Sequence, residues 1–414
     1  MQKNLPQNDR IRRLKVAVIG GGIGGLAAAV ALRQRGIEVQ VFERSAQMKE
    51  VGAGLRLTPN ALKALRALGL EDEAVAVGVR IERGETLSWR SGRLISVQDT
   101  SAARFGATVL TIHRADLLDI FQRHVPNALV RLDARCTGVK QSANAAVAQF
   151  ADGNEVEADV IVGADGIHSV VRASLFGADK PRFTGCICWR GLVPVERVPY
   201  VPNNSQRWLG PHGHVVTYPV RRGELINFVA HYDSESWTDE SWTQSADRAE
   251  LAHTYRGWND SLLKLFAASE QNYKWALYDR DPLDRWGDGR LTLIGDAAHA
   301  MLPYLAQGAG MTIEDACVLA QHLDGMRDDP GQALRAYERA RIPRTRRAQL
   351  DSRARAKENH LVSPLARLRR NLMAGLAPKL NPSKAADPLA WIFDYDVASL
   401  GDANSGDTLP IAAA

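Results

Sequence analysis

One stretch near the N-terminus, KVAVIGGGIGGLAAAVALRQRGIEVQVFER at residues 15–44, restricts the fold more than any other part of the chain. Residues 16–19 form a short apolar run bounded by glycine, which predicts a buried parallel strand. The apolar residues that follow recur with the spacing of one helix face, and Gly36 ends that helix. Residues 37–41 alternate apolar and polar side chains, as a second strand does. The stretch is therefore predicted to form a complete strand–helix–strand unit.

The turn between the first strand and the helix carries glycines in the pattern G-x-G-x-x-G, at Gly20, Gly22 and Gly25. These permit a tight turn, the close approach of a pyrophosphate, and close packing of helix on strand. The helix N-terminus presents free N–H groups and the positive end of its dipole to the phosphates. Glu43 follows the second strand, where a carboxylate can accept from a ribose hydroxyl. The unit therefore predicts a dinucleotide-binding site.

Two further apolar strands run into glycine turns much later in the chain, at residues 160–166 and 291–296. A strand-rich region between them mixes aromatic with β-branched residues. The nucleotide-binding sheet is therefore predicted to assemble from separated pieces, with a β-rich insertion between the second and the third. A nicotinamide dehydrogenase with a contiguous fingerprint domain is not expected to have this arrangement, although the first motif alone would suit one.

Three motifs now stand in order: the glycine turn with Glu43, then Gly163-Ala-Asp165-Gly166-Ile-His-Ser169-x-x-Arg172, then Gly295-Asp296-Ala-Ala-His299. Together they resemble the motifs of the class A flavoprotein aromatic hydroxylases, the single-component FAD monooxygenases of the p-hydroxybenzoate hydroxylase type. Within that group the chain is most similar to the salicylate and 3-hydroxybenzoate hydroxylases, from residue 15 to about residue 395. It departs from the family at Ala300, where proline is frequent.

The resemblance implies an α/β fold: a Rossmann-like FAD-binding domain of the GR2 type, an inserted β-sheet substrate domain, and a helical C-terminal region. The FAD-binding domain is expected to consist of three separate segments, at residues 1–80, 111–180 and 286–330. Strands of the substrate domain are expected at residues 81–110, and its main β-rich portion at residues 181–285. The helical region would then occupy residues 331–400, followed by a tail at residues 401–414.

Cofactor contacts also follow from the resemblance. The glycine turn would hold the FAD pyrophosphate, and Glu43 would bind a ribose. Arg114, in the run His-Arg-Ala-Asp-Leu, matches an arginine that contacts the cofactor phosphates. Arg44 and Arg56 are weaker cofactor candidates.

The second and third motifs extend this assignment. Asp165 and Gly166 match a motif that the family links to both FAD and the nicotinamide donor, and Asp296 matches an acid that holds the ribityl hydroxyls. A helix that begins shortly after Asp296 would aim its positive end at the flavin N1–O2 edge and stabilise an anionic reduced flavin. Its first residues, which let backbone N–H groups approach the ring, are Gly308, Ala309 and Gly310.

A substrate site is expected around three further residues. His214 and Tyr218 are four apart on a predicted strand, so their side chains share one face. The resemblance implies that His214 takes the proton of a substrate phenol and that Gln307 lies near the substrate carboxylate. The alternative for His214 is a histidine packed in the sheet without a catalytic role. His299 is expected to support the FAD loop, and His212 to point to the opposite face.

The predicted activity is hydroxylation of a small phenolic acid with NAD(P)H and O₂, through a flavin C4a-hydroperoxide. The nicotinamide, NADH or NADPH, docks transiently, because only one dinucleotide fold is visible. Salicylate, converted to catechol with loss of CO₂, is the first choice, and 6-hydroxylation of 3-hydroxybenzoate is the alternative. Other substrates stay open, namely another aromatic or heteroaromatic compound, a polyketide, or a large apolar lipid for a reductase. A nicotinamide dehydrogenase and a non-catalytic flavin-binding protein are the remaining classes.

Composition limits the partners. The chain is 45% hydrophobic and 24% charged, as in ordinary globular proteins, and no run is apolar enough to span a membrane. Without a secretory signal, the cytoplasm is the expected location. A formal net charge of +5, concentrated in arginines between residues 335 and 370, suits a solvated face, a homodimer interface or a groove for an anion, and nucleic acid is rejected. The four cysteines lack metal-site spacing, and no metal is expected.

Overall fold

The structure is a computed structural model, which describes residues 13–48, 53–235, 247–380 and 387–400, so that the predicted tail lies outside the described residues. Its strands are β1 (Lys15–Ile19), β2 (Glu38–Phe42), β3 (Gly54–Leu57), β4 (Val79–Ile81), β5 (Arg83–Ser88), β6 (Leu94–Asp99), β7 (Val109–His113), β8 (Val130–Arg131), β9 (Cys136–Gln141), β10 (Ala146–Phe150), β11 (Glu155–Ala158), β12 (Val160–Gly163), β13 (Arg182–Pro194), β14 (Ser205–Leu209), β15 (Gly213–Val220), β16 (Leu225–Asp233), β17 (Asn272–Asp279) and β18 (Leu291–Leu293).

The α-helices alternate with these strands in the first half of the chain and dominate its C-terminal region. They are α1 (Ile23–Gln34), α2 (Pro59–Ala67), α3 (Glu71–Val77), α4 (Ala102–Phe105), α5 (Arg114–Arg123), α6 (Val170–Phe176), α7 (Arg248–Thr254), α8 (Asp260–Ala268), α9 (Asp296–His299), α10 (Gly308–Gly325), α11 (Pro330–Asn359), α12 (Pro364–Leu380) and α13 (Ala390–Phe393).

Five parallel strands form the sheet that the N-terminal unit begins, in the order β18-β12-β1-β2-β8. β1 pairs with β2 on one side and with β12 on the other, where Val16 lies beside Val160. β12 pairs in turn with β18, where Ile161 lies beside Leu291. The three separated pieces of the chain therefore meet in one sheet, as predicted. The central strands β1 and β12 are covered on both faces, as in other parallel sheets, and they are therefore largely apolar.

Helix α1 fixes how closely the layers approach. It contacts both β2 and α10, and residues 25–32 are buried around its whole circumference. Its residues are small at the contact: a Cβ added at Gly24 would lie only 2.6 Å from Cγ2 of Thr312 on α10. The glycine therefore permits an approach that any larger residue would prevent.

The second large sheet has seven strands, in the order β17-β13-β16-β15-β14-β5-β6. β5 and β6, from residues 83–99, extend it, because β5 pairs in parallel with β14. One face packs on the aromatic side chains around α7 and α8, where Tyr255 and Phe266 contact Trp189 and Phe228. The fold thus combines a parallel-sheet α/β unit, a separate seven-stranded sheet and a helical C-terminal region, and the predicted α/β fold class is confirmed.

Helices α10 and α11 hold the C-terminal region to the parallel sheet through a buried ion cluster. Arg341 lies 2.7 Å from a carboxylate oxygen of both Glu314 and Asp315, and all three side chains are inaccessible to solvent. Arg344 binds Glu314 as well, at 2.8 Å. Part of the basic run is therefore internal, where it neutralises buried acids. None of the described helices is long and apolar enough to cross a membrane.

Candidate active site

A cavity of about 720 Å³ runs from the glycine turn to the seven-stranded sheet. The residues that line the cavity fall into two groups, one at each end. At the end near the glycine turn lie Gly20, Gly22, Glu43, Arg44, Arg114, Asp165, Gly166, Asp296, Gly308 and Ala309. At the other end, six lining residues come from the seven-stranded sheet, joined by Arg56 of β3 and by Tyr304: they are Arg190, Arg207, His214, Val216, Tyr218 and His231.

The glycine turn accepts no side chain at two of its three positions. Gly20 has φ +109°, and a Cβ there would lie 2.4 Å from the carbonyl oxygen of Ala164. A Cβ at Gly25 would lie 1.8 Å from the carbonyl oxygen of Gly20. At Gly22 nothing lies within 4 Å of the added atom, so this is the position where the backbone is open to the cavity. The turn therefore has the open, glycine-lined shape that a pyrophosphate requires.

Glu43 ties the second strand to the same turn. One of its carboxylate oxygens accepts from the backbone N–H of Gly21 at 2.7 Å, and the other accepts from that of Ser45 at 2.9 Å. Each carboxylate oxygen keeps a further lone pair for a ligand hydroxyl. Glu43 is therefore held rigidly at the cavity wall, where a ribose could donate to it.

Asp165 closes the turn after β12. Its carboxylate accepts from the hydroxyl of Ser169 at 2.5 Å and from the backbone N–H of Val170 at 2.7 Å. Ser169 in turn caps α6 by accepting from the N–H of Arg172 at 2.9 Å. Burial raises the pKa of Asp165, although these hydrogen bonds oppose the shift. The second motif therefore builds one turn that presents Asp165 and Gly166 to the cavity.

Behind Asp296 the third motif is supported by a buried histidine. Nε2 of His299 lies 2.6 Å from Oδ2 of Asp315, which also accepts from the backbone N–H of Gly295 at 3.1 Å. Burial would raise the pKa of Asp315, but the attraction of His299 and Arg341 outweighs it and the pKa lies below its ordinary value. His299 thus occupies a supporting position beneath the loop, as its sequence context predicted.

Helix α10 begins at the cavity wall, where Gly308 and Ala309 line it. The side chain of the N-cap residue Gln307 makes no capping hydrogen bond in the described structure, so the first backbone N–H groups of the helix are available to a ligand. At Gly310 a Cβ would lie 3.1 Å from Cβ of Ala61 on α2, so glycine at this position also permits the close packing of α10 on α2.

At the other end of the cavity, β15 brings His214 and Tyr218 to one wall, as the strand spacing predicted. His214 lies directly opposite His231 of β16 in the antiparallel register. Burial lowers the pKa of His214 well below its ordinary value, and the neighbouring His231 and His360 act in the same direction. Burial raises the pKa of Tyr218. Both side chains are therefore neutral near pH 7.

Gln307 does not reach the cavity, which corrects the expectation that it lies near a substrate carboxylate. Its side chain is fully buried and is not part of the cavity lining. The amide nitrogen donates to Oγ1 of Thr58 at 2.8 Å and to the carbonyl of Leu305 at 3.2 Å, and its oxygen accepts from Asn60 at 3.0 Å. Sequence position placed Gln307 beside the site, but its rotamer directs it into the packing between α2 and α10.

Three arginines that the sequence analysis did not assign to a substrate surround this end of the cavity: Arg56 of β3, Arg190 of β13 and Arg207 of β14. Their Nε atoms are buried, and within the described part of the chain nothing accepts from them. Burial lowers the pKa of Arg207 to about 9, and the nearby Arg355 and Arg56 act in the same direction. For Arg190 the available signal was an arginine within a largely apolar run, Cys186-Ile-Cys-Trp-Arg-Gly-Leu-Val.

His231 is a fourth residue that the sequence analysis did not assign to the substrate site. It is buried, it lines the cavity, and in the described structure neither ring nitrogen has a hydrogen-bond partner. A buried polar group without a partner is costly, so a ligand that reaches it gains a hydrogen bond at little expense. His231 is therefore a candidate for contact with a polar substituent of a substrate.

Comparison with known proteins agrees with this geometry. Residues 13–351 match the model of the FAD-binding domain family. A 3-amino-4-hydroxybenzoate 2-monooxygenase from Streptomyces platensis is 41% identical over 395 residues, covering 94% of this chain and 98% of the relative. A salicylate hydroxylase from Pseudomonas putida is 33% identical and covers 93% of both chains. The crystal structure of Klebsiella pneumoniae HpxO complexed with FAD and uric acid superimposes with a TM-score of 0.84 at 27% identity, over 93% of this chain and 98% of that one.

The chain belongs to the FAD-binding domain family, and it is an FAD-dependent monooxygenase that acts on aromatic compounds. The residues present fit the cofactor, because the glycine turn admits no Cβ at Gly20 or Gly25 and opens at Gly22. The residues that would hold FAD are those at the glycine-turn end of the cavity, which include the N-terminus of α10. NAD(P)H is the electron donor typical of the family.

Proposed function

We propose that this enzyme hydroxylates a small phenolic acid, an aminohydroxybenzoate or hydroxybenzoate, whose ring lies at the His214 end of the cavity. One observation carries the proposal: a buried histidine shares this end with half-buried arginines whose Nε atoms are buried and have no acceptor in the described structure. The arginines suit a carboxylate, and the histidine suits a phenol. A single small aromatic acid supplies both groups.

The carboxylate is supported by electrostatics. Arg56, Arg190 and Arg207 bring three cations to one end of the cavity, and like charges in a low-dielectric site repel each other strongly. An anion that binds between them relieves this repulsion and accepts from their free N–H groups. Guanidinium groups match carboxylates well, because they can donate two parallel hydrogen bonds. A neutral or cationic substrate would leave the charges uncompensated.

The phenol is supported by the protonation state of His214. A neutral imidazole can accept the phenol proton, and a phenolate carries more electron density on the ring than a phenol does. Bound FAD, once reduced by NAD(P)H, supplies activated oxygen for transfer to the ring. The chain's own contribution is to hold the ring by its carboxylate, take the proton at His214 and surround the site with packed side chains that limit water.

Among phenolic acids we place 3-amino-4-hydroxybenzoate first and salicylate second. The first is the substrate in the name of the Streptomyces platensis relative, whose identity to this chain exceeds that of the salicylate hydroxylase. His231 favours the same order. Its two unpartnered ring nitrogens can bind a further polar substituent, such as the amino group, which salicylate lacks. This order differs from the one expected from the sequence, in which salicylate came first and 3-hydroxybenzoate second.

A substrate panel tests the proposal. NADH and NADPH oxidation, O₂ uptake and products by mass would be followed with 3-amino-4-hydroxybenzoate, salicylate, 3-hydroxybenzoate and 4-hydroxybenzoate, and with benzamide analogues that lack the carboxylate. We expect stoichiometric hydroxylated product from at least one acid and little from any amide. Product from a neutral aromatic compound only, with no stimulation by any acid, would overturn the proposal.

We also propose the predicted division of the chain, with residues 81–110 and 181–285 forming the substrate domain. Strands from both segments contribute to the seven-stranded sheet, which supports treating them as one unit. A cytoplasmic location would give the enzyme its NAD(P)H, and O₂ reaches that compartment by diffusion. Fractionation of the native cells, with activity followed in each fraction, tests the location.

A further inference from the structure

A line of three titratable side chains leads away from the cavity. Nδ1 of His214 lies 2.9 Å from Nε2 of His360, and Nδ1 of His360 lies 2.5 Å from Oδ1 of Asp233. Neither His360 nor Asp233 lines the cavity. The hydrogen-bonding contacts of His214 therefore extend outside the cavity, to residues that are not part of the family motifs.

The three groups come from separate elements and become progressively more exposed. His214 belongs to β15 and is 2% exposed. His360 directly follows α11, its backbone N–H bonded to the carbonyl of Ala356, and its side chain is 8% exposed. Asp233 ends β16, and its side chain is 40% exposed. The line therefore connects the buried end of the cavity with the solvent.

The acid at the outer end fixes the direction of every hydrogen bond. Asp233 as a carboxylate can only accept, so Nδ1 of His360 donates to it. A neutral His360 then has a lone pair on Nε2, and Nδ1 of His214 donates to that lone pair. This leaves Nε2 of His214 as the acceptor, on a ring that lines the cavity. The resting protein thus holds His214 in the tautomer that can take a proton.

We propose that His360 and Asp233 form a proton relay that carries the substrate's phenol proton from His214 to solvent. The inference rests on the proposed function. The phenol O–H bond breaks and a bond to Nε2 of His214 forms; the proton on Nδ1 of His214 moves to Nε2 of His360. The proton on Nδ1 of His360 then moves to Asp233, which releases it to water. One proton leaves the phenol, one reaches water, and both imidazoles stay neutral but change tautomer. A proton that passes back along the same line, from water through Asp233 and His360 to His214 and the product's phenolate, restores the starting tautomers.

The surroundings of His214 explain why a relay is needed. A cationic His214 would be disfavoured by burial and by the positive or titratable groups that face it from every side. These are His231 of β16, His360 after α11, Arg207 of β14 and Arg370 of α12, with Arg190 of β13 near His231 and Tyr304 in ring contact with His214. His212 lies 3.8 Å from Asp233 at the outer end. A proton that stopped on His214 would meet this repulsion, whereas one that continues to the exposed carboxylate does not.

Substitution of the relay residues tests the inference in the holoenzyme. His360→Gln and Asp233→Asn would be compared with the wild type and with His124→Gln, which removes a surface histidine–glutamate contact far from the cavity. Two quantities would be measured against pH: the turnover number with its KM, and the ultraviolet phenolate band of a hydroxybenzoate bound to the oxidised enzyme. The second needs no catalysis.

We expect substrate affinity to change less than about threefold, because neither residue lines the cavity. The turnover number at pH 7 should fall roughly 100-fold in His360→Gln, within the range for loss of a general acid–base group. The bound phenol should ionise at a pH at least one unit higher, and turnover should recover as the pH rises. Asp233→Asn should show the same changes to a smaller degree, and His124→Gln should show none.

Unchanged pH profiles and phenolate bands in a folded, turning-over His360→Gln enzyme would overturn the relay while the proposed function stands. A uniform loss of turnover at all pH values, with a normal phenolate band, would also overturn it, since that pattern indicates only a structural role. If the wild type hydroxylates no phenolic acid, the proposed function fails and the relay fails with it. Histidine-selective ¹⁵N NMR of the free enzyme tests the hydrogen bonds independently of the substrate, because it reports which nitrogen of His214 carries the proton. A proton on Nε2 would contradict the relay itself, whereas a proton on Nδ1 would leave only the proposed function in question.

Discussion

His214 and His231 lie face to face on neighbouring strands, with ring centroids 4.4 Å apart and ring planes within 4° of parallel. The antiparallel register of β15 and β16 sets this arrangement, because it places the two residues directly opposite each other. Burial lowers the pKa of both imidazoles well below the ordinary value, and each pKa is lowered further by neighbouring cations or histidines. The fold therefore holds two neutral histidines against the substrate end of the cavity.

This pair makes stability depend on pH. Below about pH 6.5 the unfolded chain protonates its histidines, whereas the folded protein keeps His214 and His231 neutral. Stability should therefore fall as the pH drops below about 6.5, by about 1.4 kcal/mol per pH unit for each histidine. Replacing His231 with Asn removes one of the two histidines and should reduce the slope of stability against pH by about 1.4 kcal/mol per pH unit. The urea midpoint measured from pH 7.5 to pH 5 checks this, and an identical slope in the variant would contradict it.

The glycine turn gives a prediction that separates folding from cofactor binding. Gly25→Ala would force its Cβ against the carbonyl oxygen of Gly20, and should destabilise even the FAD-free protein by about 3 kcal/mol. Gly22→Ala meets no atom within 4 Å and should change that stability by less than about 1 kcal/mol, yet lower FAD affinity, because the methyl group occupies the open side of the turn. Thermal unfolding of the FAD-free proteins and flavin content after purification measure the two effects. Equal stability losses in both variants would count against this explanation.

Arg207 tests how the carboxylate is recognised. Arg207→Gln removes a charged donor from the cavity wall and should raise KM for the favoured acid roughly 10- to 100-fold. Binding of the matching amide should change little, because an amide does not compensate the cation. Arg339→Gln, on an exposed face of α11, serves as the control for loss of positive charge. Equal changes for the acid and the amide would show that Arg207 acts through packing.

For Gln307 we expect substitution to reduce stability rather than substrate binding, whereas its position in the sequence suggests contact with the substrate. Its amide bonds to Thr58, Asn60 and Leu305 inside the protein, so Gln307→Ala leaves buried polar partners unsatisfied. Stability should fall by about 1–3 kcal/mol, while KM for the substrate should change less than about threefold. Urea unfolding and steady-state kinetics test the two statements. A tenfold rise in KM with unchanged stability would instead support contact with the substrate carboxylate.

The features of the fold that the sequence predicts are those determined locally. Gly20 must be glycine because of its φ and the approach of Ala164, and such a requirement appears as a fixed pattern in any chain that binds a dinucleotide this way. Each of the three apolar strands can be recognised from its own residues and from the glycine turn that follows it. These features were enough to predict that the three strands share one sheet. His214 and Tyr218 also follow from local spacing, since strand residues four apart share a face.

The substrate end depends instead on how distant strands align. Arg190 and Arg207 come from two strands of the seven-stranded sheet and Arg56 from β3 of another sheet, so their convergence depends on how the two sheets pack together. His360 reaches His214 only because α11 ends beside β15. Gln307 shows the converse, because a residue can be adjacent to the site in sequence while its rotamer points into another contact. No local pattern encodes these relations.

Oxygen incorporation tests the central claim most directly. The purified enzyme would be supplied with 3-amino-4-hydroxybenzoate, NAD(P)H and ¹⁸O₂, and the product examined by mass spectrometry. The account predicts one ¹⁸O atom in each molecule of hydroxylated product, with one NAD(P)H consumed per product. Product oxygen that comes from water, or NAD(P)H oxidation that yields only hydrogen peroxide with this and every other phenolic acid, would contradict it.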